Sequence, residues 1–317
     1  MEPCPDLRRA GRSQSADRAE DKDGPPWVTF QESASAKVNL FLHVGERRSD
    51  GFHPLQSLAV FTEAGDVLRA EAAPVLSLAI DGPFAAGLRA EGDNLVLRAA
   101  EALQSWALAA EAGPPVGAAL TLTKNLPVAS GIGGGSADAA AALRALKRLW
   151  RLEVADAVLM EIAAGLGSDV PVCVPSQAAF MEGRGEILTR APSLPRLAML
   201  LVNPGVAVPT REVFAGLKSR SGAAMPLPQT GFADAASLLR FLQGTCNDLE
   251  APAKVIQPVI GEVLAALAGL PEVLLARMSG SGATCFALFP EEASCRRGAE
   301  QLRRAQGGWW IAPTVAF

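Results

Sequence analysis

Residues 126–143 read LPVASGIGGGSADAAAAL and join four glycines and two serines to a run of alanines. The alanines predict a helix, because alanine has the highest helix propensity of all residues. A helix start carries unpaired N–H groups and the positive end of the helix dipole, so a bare backbone at that point favours an anion. A plain tight turn is the alternative, although each glycine in such a turn costs conformational entropy. The stretch therefore favours a phosphate-binding loop that opens a helix.

This loop matches neither of two common nucleotide-binding motifs. A P-loop requires a lysine that is absent here, and counting from Gly131 or Gly133 puts Ser136 or Asp138 where a dinucleotide fingerprint has its third glycine. What remains is a nest of backbone amides from Gly133 to Ser136, with no β-carbons in the way of a ligand. The Ser136 hydroxyl is a candidate helix cap or metal ligand.

Composition and charge exclude several classes of partner. The 317 residues carry a net charge of -4, which provides neither a basic surface for nucleic acid nor a cationic helix for a membrane. Pro, Gly or Arg interrupts every apolar run before it reaches membrane-spanning length. Five scattered cysteines and two histidines indicate neither a disulfide framework nor a zinc site. We expect a cytoplasmic protein whose partners are small molecules.

The length and the element pattern predict two domains and a cleft. Residues 1–27 mix acidic and basic side chains without an apolar stretch, which is typical of a disordered tail. Strands and helices then intermix without a repeat, so the fold class is α+β. An apolar strand at 195–205 begins the second half, so we expect an N-terminal domain over 28–190 and a C-terminal domain over 191–317.

Helix and turn signals outline the elements within both halves. Asp93 or Asn94 is a predicted N-cap, and "MSGSGATCFALF" at 278–289 is either a second backbone cradle or a hairpin turn. "CNDLE" at 246–250 reads as a cap at Asn247 or Asp248, and the D-G turn in "SDGFHPLQ" at 49–56 either frames a planar ring or is structural. The helical periodicity predicts helices over 95–106, 154–167, 235–242 and 255–267.

The segment "AKVNLFLHV" at 36–44 alternates as a strand. Strict alternation puts Lys37, Asn39, Phe41 and His43 on one face. A lysine–asparagine pair on an inward face is unexpected unless it serves a site. Periodicity alone favours a solvated face, although Phe41 on that face weakens the preference.

Two aspartates are candidates for a catalytic base. Asp169 follows a Gly-x-Gly segment and precedes Val-Pro-Val, a setting that by itself favours a helix N-cap. Asp138 lies near the start of the loop helix, where it would oppose a bound phosphate, so we expect it to stabilise the helix dipole instead.

Six segments together resemble, in chain order, the GHMP kinase superfamily. They span residues 36–289 and are "AKVNLFLHVGERRSDGFHPLQSL", the glycine-rich loop, "GSDVPVCV" with "AFMEGRGE", "VNPGVAVPTREVF", "NDLE" and "MSGSGATCFALF". The resemblance implies a two-domain fold with a ribosomal-protein-like first half, a ferredoxin-like second half and a ligand cleft between them. It also implies ATP and Mg²⁺ as cofactors.

The resemblance assigns the catalytic and nucleotide-binding residues. Lys37 matches the family's active-site lysine and Asp169 its catalytic aspartate, while Asn94 and Lys124 match positions at the adenosine end. Ser136 matches the loop residue near Mg²⁺. The positions that match the ATP phosphate loop are Pro127, Val128, Ala129, Ser130, Gly131, Ile132, Gly133, Gly134, Gly135, Ser136 and Ala137.

The resemblance further implies the acceptor, 4-diphosphocytidyl-2-C-methyl-D-erythritol, an intermediate of non-mevalonate isoprenoid biosynthesis that is phosphorylated at its C2 hydroxyl. Asn39, His53 and Thr210 match positions that contact it, and Phe52 and Phe214 match the aromatic pair around cytosine. The family usually has "DGYH" where this chain has "DGFH", so a phenol hydrogen bond is lost while ring stacking is kept.

Two alternatives to this activity stay open. The chain is either a kinase of the same superfamily with another acceptor, such as mevalonate, homoserine or a sugar, or a non-catalytic nucleotide-binding module. Lys37 and Asp169 argue against the module, because a protein that only binds nucleotide needs neither.

Overall fold

The computed structural model describes residues 29–49, 52–86, 88, 93–112, 117–218, 225–228 and 230–317. The predicted tail at 1–27, the D-G dipeptide of the turn at 49–51 and most of the polar loop at 219–231 lie outside them. Within these ranges the chain intermixes ten strands and nine helices, as the α+β prediction requires.

The strands divide into two groups along the chain. The first six precede residue 191, and the last four follow it. In order they are β1 (Phe30–Val44), β2 (Leu55–Ala72), β3 (Ser77–Asp81), β4 (Ala118–Thr123), β5 (Ala179–Gly183), β6 (Ile187–Arg190), β7 (Leu197–Asn203), β8 (Leu275–Met278), β9 (Cys285–Phe289) and β10 (Trp310–Ala316).

The helices are distributed between the same two halves. In order they are α1 (Leu95–Ala109), α2 (Gly134–Leu149), α3 (Asp156–Leu166), α4 (Val170–Cys173), α5 (Thr210–Ala215), α6 (Ala235–Gln243), α7 (Glu250–Ile256), α8 (Val259–Ala268) and α9 (Glu292–Ala305). None of the helices in the described ranges is long and apolar enough to cross a membrane.

Strand β2 is the strand that joins the two groups. Its 18 residues pair with β1 along one edge, and with β5, β10 and β4 in turn along the other. All of these pairings are antiparallel, and only β3 runs parallel to its neighbour β4. The continuous sheet order is β3-β4-β2-β10-β7-β9-β8. Residues 55–72 thus form one continuous strand at the centre of both groups.

Helix α2 packs closely on β1 and β2 because its inner face is made of alanines. Residues 139–142 are all fully buried, and the helix lies against β1, β2 and α1. Small side chains allow this close approach. The N-terminus of α2, where the glycine-rich loop ends, is consequently fixed beside β1.

A β-bulge at Leu40 interrupts the predicted alternation of β1. Asn39 pairs with Ala59 and Phe41 pairs with Leu58, so Leu40 is an extra residue on its strand. A bulge of this kind shifts every later side chain to the opposite face. The prediction that Phe41 shares a face with Asn39 is therefore wrong.

The consequence of the bulge is visible in the packing. Phe41 belongs to an apolar cluster shared by both halves, together with Leu58 from β2 and Met199 from β7. Leu42 instead packs into the cluster of the second half. A third cluster lies beneath α1, α2 and α3 in the first half.

Most predicted helices are confirmed, with one exception. Asn94 caps α1 by accepting a hydrogen bond of 2.9 Å from the Val96 N–H, and α3 ends at Gly167 as predicted. The predicted helix over 255–267 is instead two helices, because α7 ends at Ile256 and α8 begins after Pro258. Proline lacks the N–H that would continue the hydrogen-bond ladder.

Candidate active site

A cleft of about 1290 Å³ is lined by segments from both halves of the chain. It brings together nearly all of the residues predicted for the site, including Lys37, Asp169 and Phe214. Two predicted loop residues do not line it. Ile132 and Ala137 are instead buried in the apolar clusters behind the loop.

The glycine-rich loop turns into α2 at Gly133. This residue is the N-cap, with a φ of 65°, a left-handed conformation that favours glycine. The first helical hydrogen bond runs from the Ala137 N–H to the Gly133 carbonyl, at 2.8 Å. The N–H groups of residues 134–136 precede that bond and have no acceptor within the helix. Residues 134–136 line the cleft, which suits an anion site at the start of this helix. Ser136 is not the helix cap, because the N-cap is Gly133.

Residues 279–282, with the sequence SGSG, pack directly against this loop. A β-carbon at Gly131 would lie 2.5 Å from the Gly282 carbonyl oxygen, and one at Gly280 would lie 2.7 Å from the Gly131 carbonyl oxygen. The Thr284 N–H donates to the Ser130 carbonyl at 3.1 Å. The segment is therefore more than a hairpin turn, because its backbone supports the loop from the second half of the chain.

Lys37 and Asp169 form an ion pair in the cleft. The distance from Lys37 Nζ to Asp169 Oδ2 is 2.9 Å, and the lysine side chain is 4% exposed whereas the aspartate side chain is 40% exposed. The solvated-face interpretation of Lys37 is therefore wrong. The Lys37 N–H donates to the Ile132 carbonyl at 2.9 Å, which fixes the lysine next to the loop.

Asp169 immediately precedes α4, but its side chain does not cap that helix. The local sequence is that of a cap, with Pro171 in the first turn. The carboxylate instead binds Lys37, which lies on β1. The prediction of a capping role for Asp169 is wrong for that reason.

Asn39 is oriented by hydrogen bonds to two serines. Its Nδ2 donates to Ser57 Oγ at 2.8 Å, and its backbone N–H donates to Ser279 Oγ at 3.1 Å. The Ser279 hydroxyl in turn donates to the Gly131 carbonyl at 3.2 Å. Asn39 is buried yet lines the cleft, which suits a residue that presents a fixed amide to a ligand.

A second lysine of the cleft, Lys124, lies between two buried carboxylates. Its Nζ donates to Asp138 Oδ2 at 2.7 Å and also to Asp66 Oδ2. Burial acts against the charge of Lys124, but Asp138 and Asp66 overcome it and raise the pKa of the ammonium. Asp138 lies beyond the first turn of α2, so the prediction that it serves the helix dipole is wrong.

Burial also governs the protonation of Asp138. It raises the pKa of this carboxyl to about 7, against the opposing effect of Lys124 and with a smaller contribution from Asp66. The Oδ1 atom of Asp138 has no hydrogen-bond partner within the described part of the chain.

Comparison with known proteins identifies the family. The model of the GHMP kinases N terminal domain matches residues 94–177, and the model of the GHMP kinases C terminal domain matches residues 227–307. A 4-diphosphocytidyl-2-C-methyl-D-erythritol kinase of Rhodospirillum rubrum is 53% identical over 281 residues, which cover 89% of this chain and 90% of that protein. The chain is a GHMP kinase of this family.

Two further relatives agree with that assignment. A 4-diphosphocytidyl-2-C-methyl-D-erythritol kinase of Cereibacter sphaeroides strain ATCC 17029 is 53% identical, over 88% of this chain and 96% of that protein. The crystal structure of a 4-(cytidine 5'-diphospho)-2C-methyl-D-erythritol kinase superposes with a TM-score of 0.73 at 33% identity, and covers 91% of this chain and 100% of that one. The prediction of a two-domain GHMP kinase fold is confirmed.

The aromatic residues predicted for the acceptor line the cleft of this GHMP kinase and contact neighbouring side chains. The rings of His53 and Phe214 stack with centroids 6.2 Å apart, and the Arg184 guanidinium carbon lies 4.3 Å from the centroid of the Phe52 ring. Phe52 is 51% exposed, so its ring offers area for stacking. Thr210 Oγ1 lies 2.9 Å from Ser281 Oγ, a contact within the second half of the chain.

Sequence reasoning missed three groups of this GHMP kinase site. Asp66 is one of several charged residues of β2, and only the fold shows that it is buried and paired with Lys124. Arg184 belongs to a quoted motif, but only the fold brings it to Phe52. Ser279 supports Asn39 and Gly131, and the small residues around it were the available signal.

Proposed function

We propose that the chain transfers the γ-phosphoryl group of ATP to the C2 hydroxyl of 4-diphosphocytidyl-2-C-methyl-D-erythritol, in non-mevalonate isoprenoid biosynthesis. The observation that carries this function is the Lys37–Asp169 ion pair, 2.9 Å long, in a cleft that the amides at the start of α2 also line. The choice of acceptor follows from the name of relatives that are 53% identical.

In the proposed reaction, Asp169 accepts the proton of the C2 hydroxyl. The hydroxyl oxygen then forms a bond to the γ-phosphorus, the bond from that phosphorus to the β,γ-bridging oxygen breaks, and ADP leaves. The Lys37 ammonium, 2.9 Å from the Asp169 carboxylate, orients that carboxylate and favours the developing alkoxide. The exposed fraction of the Asp169 side chain, 40%, leaves the carboxylate accessible to a substrate.

We assign the ATP phosphates to the loop residues Pro127 to Ala137 and the adenosine end to Asn94 and Lys124. Phosphoryl transfer depends mainly on positioning and on the stabilisation of charge on the phosphoryl oxygens. The N–H groups at the start of α2 are suited to that task, because they are fixed and lack acceptors within the helix.

The donor set of the cleft suits a magnesium ion carried largely by the nucleotide. Mg²⁺ keeps several waters and binds through one or two protein oxygens together with substrate phosphates. The described residues contain no cluster of three or more His, Cys, Asp or Glu side chains that could hold a metal by themselves. Ser136 offers a hard hydroxyl oxygen on the cleft wall, and we assign it as the protein ligand. When bound, the ion would neutralise phosphate charge.

We assign the acceptor to the other end of the cleft. Asn39 and Thr210 would contact its polar groups, and His53 would lie beside its diphosphocytidyl part. The exposed ring of Phe52 and the ring of Phe214 would pack against cytosine. We retain 28–190 and 191–317 as the proposed domains, since the cleft residues come from both.

An ADP-release assay with 4-diphosphocytidyl-2-C-methyl-D-erythritol tests the function. We expect ATP- and Mg²⁺-dependent ADP formation with this acceptor and far less with mevalonate, homoserine or galactose. Turnover of one of those acceptors together with rejection of the cytidylylated compound would overturn the substrate assignment. ATP binding without turnover of any acceptor would favour the non-catalytic module.

A further inference from the structure

The buried cluster of Asp66, Lys124 and Asp138 connects three separate elements of the first half. Asp66 lies on β2, Lys124 follows β4, and Asp138 lies on α2. The side chains are 0%, 4% and 5% exposed, respectively. One ammonium thus faces two carboxylates that solvent does not reach.

Asp66 additionally binds the backbone that leaves β4. Its Oδ1 accepts the N–H of Asn125 at 2.6 Å and the N–H of Leu126 at 2.8 Å, while its Oδ2 accepts from Lys124. Residues 125 and 126 lead directly into the glycine-rich loop. Asp66 therefore fixes the start of the loop, and Asp138 fixes the helix at its end.

The cluster packs against the start of α2, and two of its members, Lys124 and Asp138, also line the cleft. A β-carbon at Gly134 would be 3.2 Å from Lys124 Nζ and 3.8 Å from Asp66 Oδ2. Gly134 itself lines the cleft. A shift of the ammonium would accordingly move the N–H groups that precede the first helical hydrogen bond.

The charge of Lys124 is already compensated by these contacts. Two carboxylates bind its ammonium, at 2.7 Å for Asp138 and at hydrogen-bond contact for Asp66. A lysine whose charge is compensated in this way adds little net charge to attract an anion. Its main effect is to hold the neighbouring backbone in place. Removal of either carboxylate would also leave the other two groups imperfectly paired in a buried site.

We propose that Asp66 and Asp138 are positioning residues for the β- and γ-phosphates of ATP, and that they act through Lys124 on the amides of residues 134–136. This role rests on the proposed use of ATP. Neither carboxylate touches nucleotide in this proposal; together they hold the two ends of the loop at a fixed separation. Small displacements of positioned groups cost large factors in binding and rate.

The test is a calorimetric titration of the full chain with ATP and with AMP, in the presence of Mg²⁺ and without acceptor. The variants are Asp66→Asn and Asp138→Asn, and the matched control is Asp156→Asn, whose 98% exposed carboxylate also pairs with a lysine. We expect the Kd for ATP to rise by about 10- to 100-fold in Asp66→Asn and by about tenfold in Asp138→Asn, because a buried charged hydrogen bond is weakened.

AMP separates this role from a contact at the adenosine end. It keeps the adenosine and lacks the β- and γ-phosphates, so an effect through the proposed contact of Lys124 with the adenosine end would change the Kd of both nucleotides alike. We expect the Kd for AMP to change much less than the Kd for ATP in both variants, because AMP has no β- or γ-phosphate for the loop amides to bind. Steady-state kinetics should show the same division, with a raised KM for ATP and a nearly unchanged kcat at saturating ATP.

Three outcomes would overturn the role. They are an unchanged ATP affinity in Asp138→Asn, equal losses for ATP and AMP, and a loss of kcat without a change in the KM for ATP. Circular dichroism and the melting temperature check the fold, and if Asp66→Asn does not fold, Asp138→Asn decides the question alone. A wrong acceptor cannot affect titrations that contain none, whereas a wild-type chain that does not bind ATP refutes the proposed function itself.

Discussion

Lys37 and Lys124 are equally buried in the cleft, but their counterions differ. Both lysine side chains are 4% exposed. Lys37 pairs with one carboxylate, that of Asp169, which is 40% exposed. Lys124 pairs with Asp66 and Asp138, which are nearly inaccessible.

This difference separates a pair suited to chemistry from a cluster suited to support. A substrate hydroxyl can reach Asp169 because part of the carboxylate faces the cleft. The carboxylates around Lys124 are 0% and 5% exposed and bind a buried ammonium, which suits them to holding β2 and α2 together. The accessibility of the counterion, and not the burial of the lysine, distinguishes the two regions.

The largest expected effect comes from removing the accessible carboxylate. We expect Asp169→Asn to lower kcat by about 10²- to 10⁴-fold with a modest change in KM, because the variant cannot accept a proton in the transition state. The melting temperature should change little, since the side chain is 40% exposed. Steady-state kinetics measure this effect, with Asp156→Asn as the control. A fully active Asp169→Asn would remove Asp169 from the mechanism.

The two lysines should differ in their contribution to stability. Lys124→Met leaves two buried carboxylates without a cation, and we expect it to lower the free energy of unfolding by about 3–5 kcal/mol. Lys37→Met leaves a carboxylate that water can reach, so we expect a loss of about 1 kcal/mol or less. Urea denaturation of both variants measures the difference. Equal losses would contradict the distinction between an accessible counterion for Lys37 and buried counterions for Lys124.

Substitutions at two adjacent glycines would perturb the Lys37–Asp169 pair and the cluster around Lys124 separately. A β-carbon at Gly133 would lie 3.3 Å from Lys37 Cβ, whereas one at Gly134 would lie 3.2 Å from Lys124 Nζ. Gly133 also has a positive φ, which costs an alanine about 1–2 kcal/mol.

We therefore expect Gly133→Ala to lower kcat/KM by roughly tenfold or more through displacement of Lys37. Gly134→Ala should mainly raise the KM for ATP, because the new β-carbon disturbs the cluster of Asp66, Lys124 and Asp138. Steady-state kinetics with varied ATP distinguish these results. The substitution Gly165→Ala, where the new β-carbon meets nothing within 4 Å, is the control.

The smallest expected effect concerns a buried histidine, His43. His43 Nε2 accepts the Cys246 N–H at 3.2 Å, which requires that nitrogen to be unprotonated. Burial lowers the pKa of His43, Arg277 lowers it further and Asp248 opposes them. The unfolded chain takes up this proton near pH 6.5 and the folded chain at lower pH, so stability should fall as the pH drops below 6.5.

Replacement of His43 by glutamine should reduce this acid sensitivity, since the side-chain oxygen can accept the same hydrogen bond without titrating. Urea midpoints of the wild type and of His43→Gln at pH 7.5 and pH 5 measure the effect. An identical fall in both proteins would show that other groups cause it.

The fold was largely predictable wherever local signals decide it. Alternation, alanine content and the Asn94 cap led to the correct strand and helix types. The bulge at Leu40 was not predictable, because the Leu40 carbonyl accepts from Arg277, 237 residues away. The break at Pro258 was a readable signal, since proline cannot continue a helix.

The site was predictable in membership but not in its electrostatics. Nearly every residue named from the motifs lines the cleft. The environment of Asp169 is locally that of a cap, and only the tertiary contact with Lys37 gives the carboxylate its setting. Asp66 was missed for a similar reason, because its partners are 58 to 60 residues further along the chain.

Strand β10 also constrains the order in which the molecule can be made. Residue 317 exchanges backbone hydrogen bonds with Phe61 in the middle of β2, and Thr314 accepts the Ala64 N–H from 250 residues away. A ribosome therefore has to synthesise about 250 residues beyond the middle of β2 before β10 can pair with it. Contacts between such distant segments form slowly. Until β10 is made, the edge of β2 that it will pair with stays unpaired, and such an edge can bind chaperones.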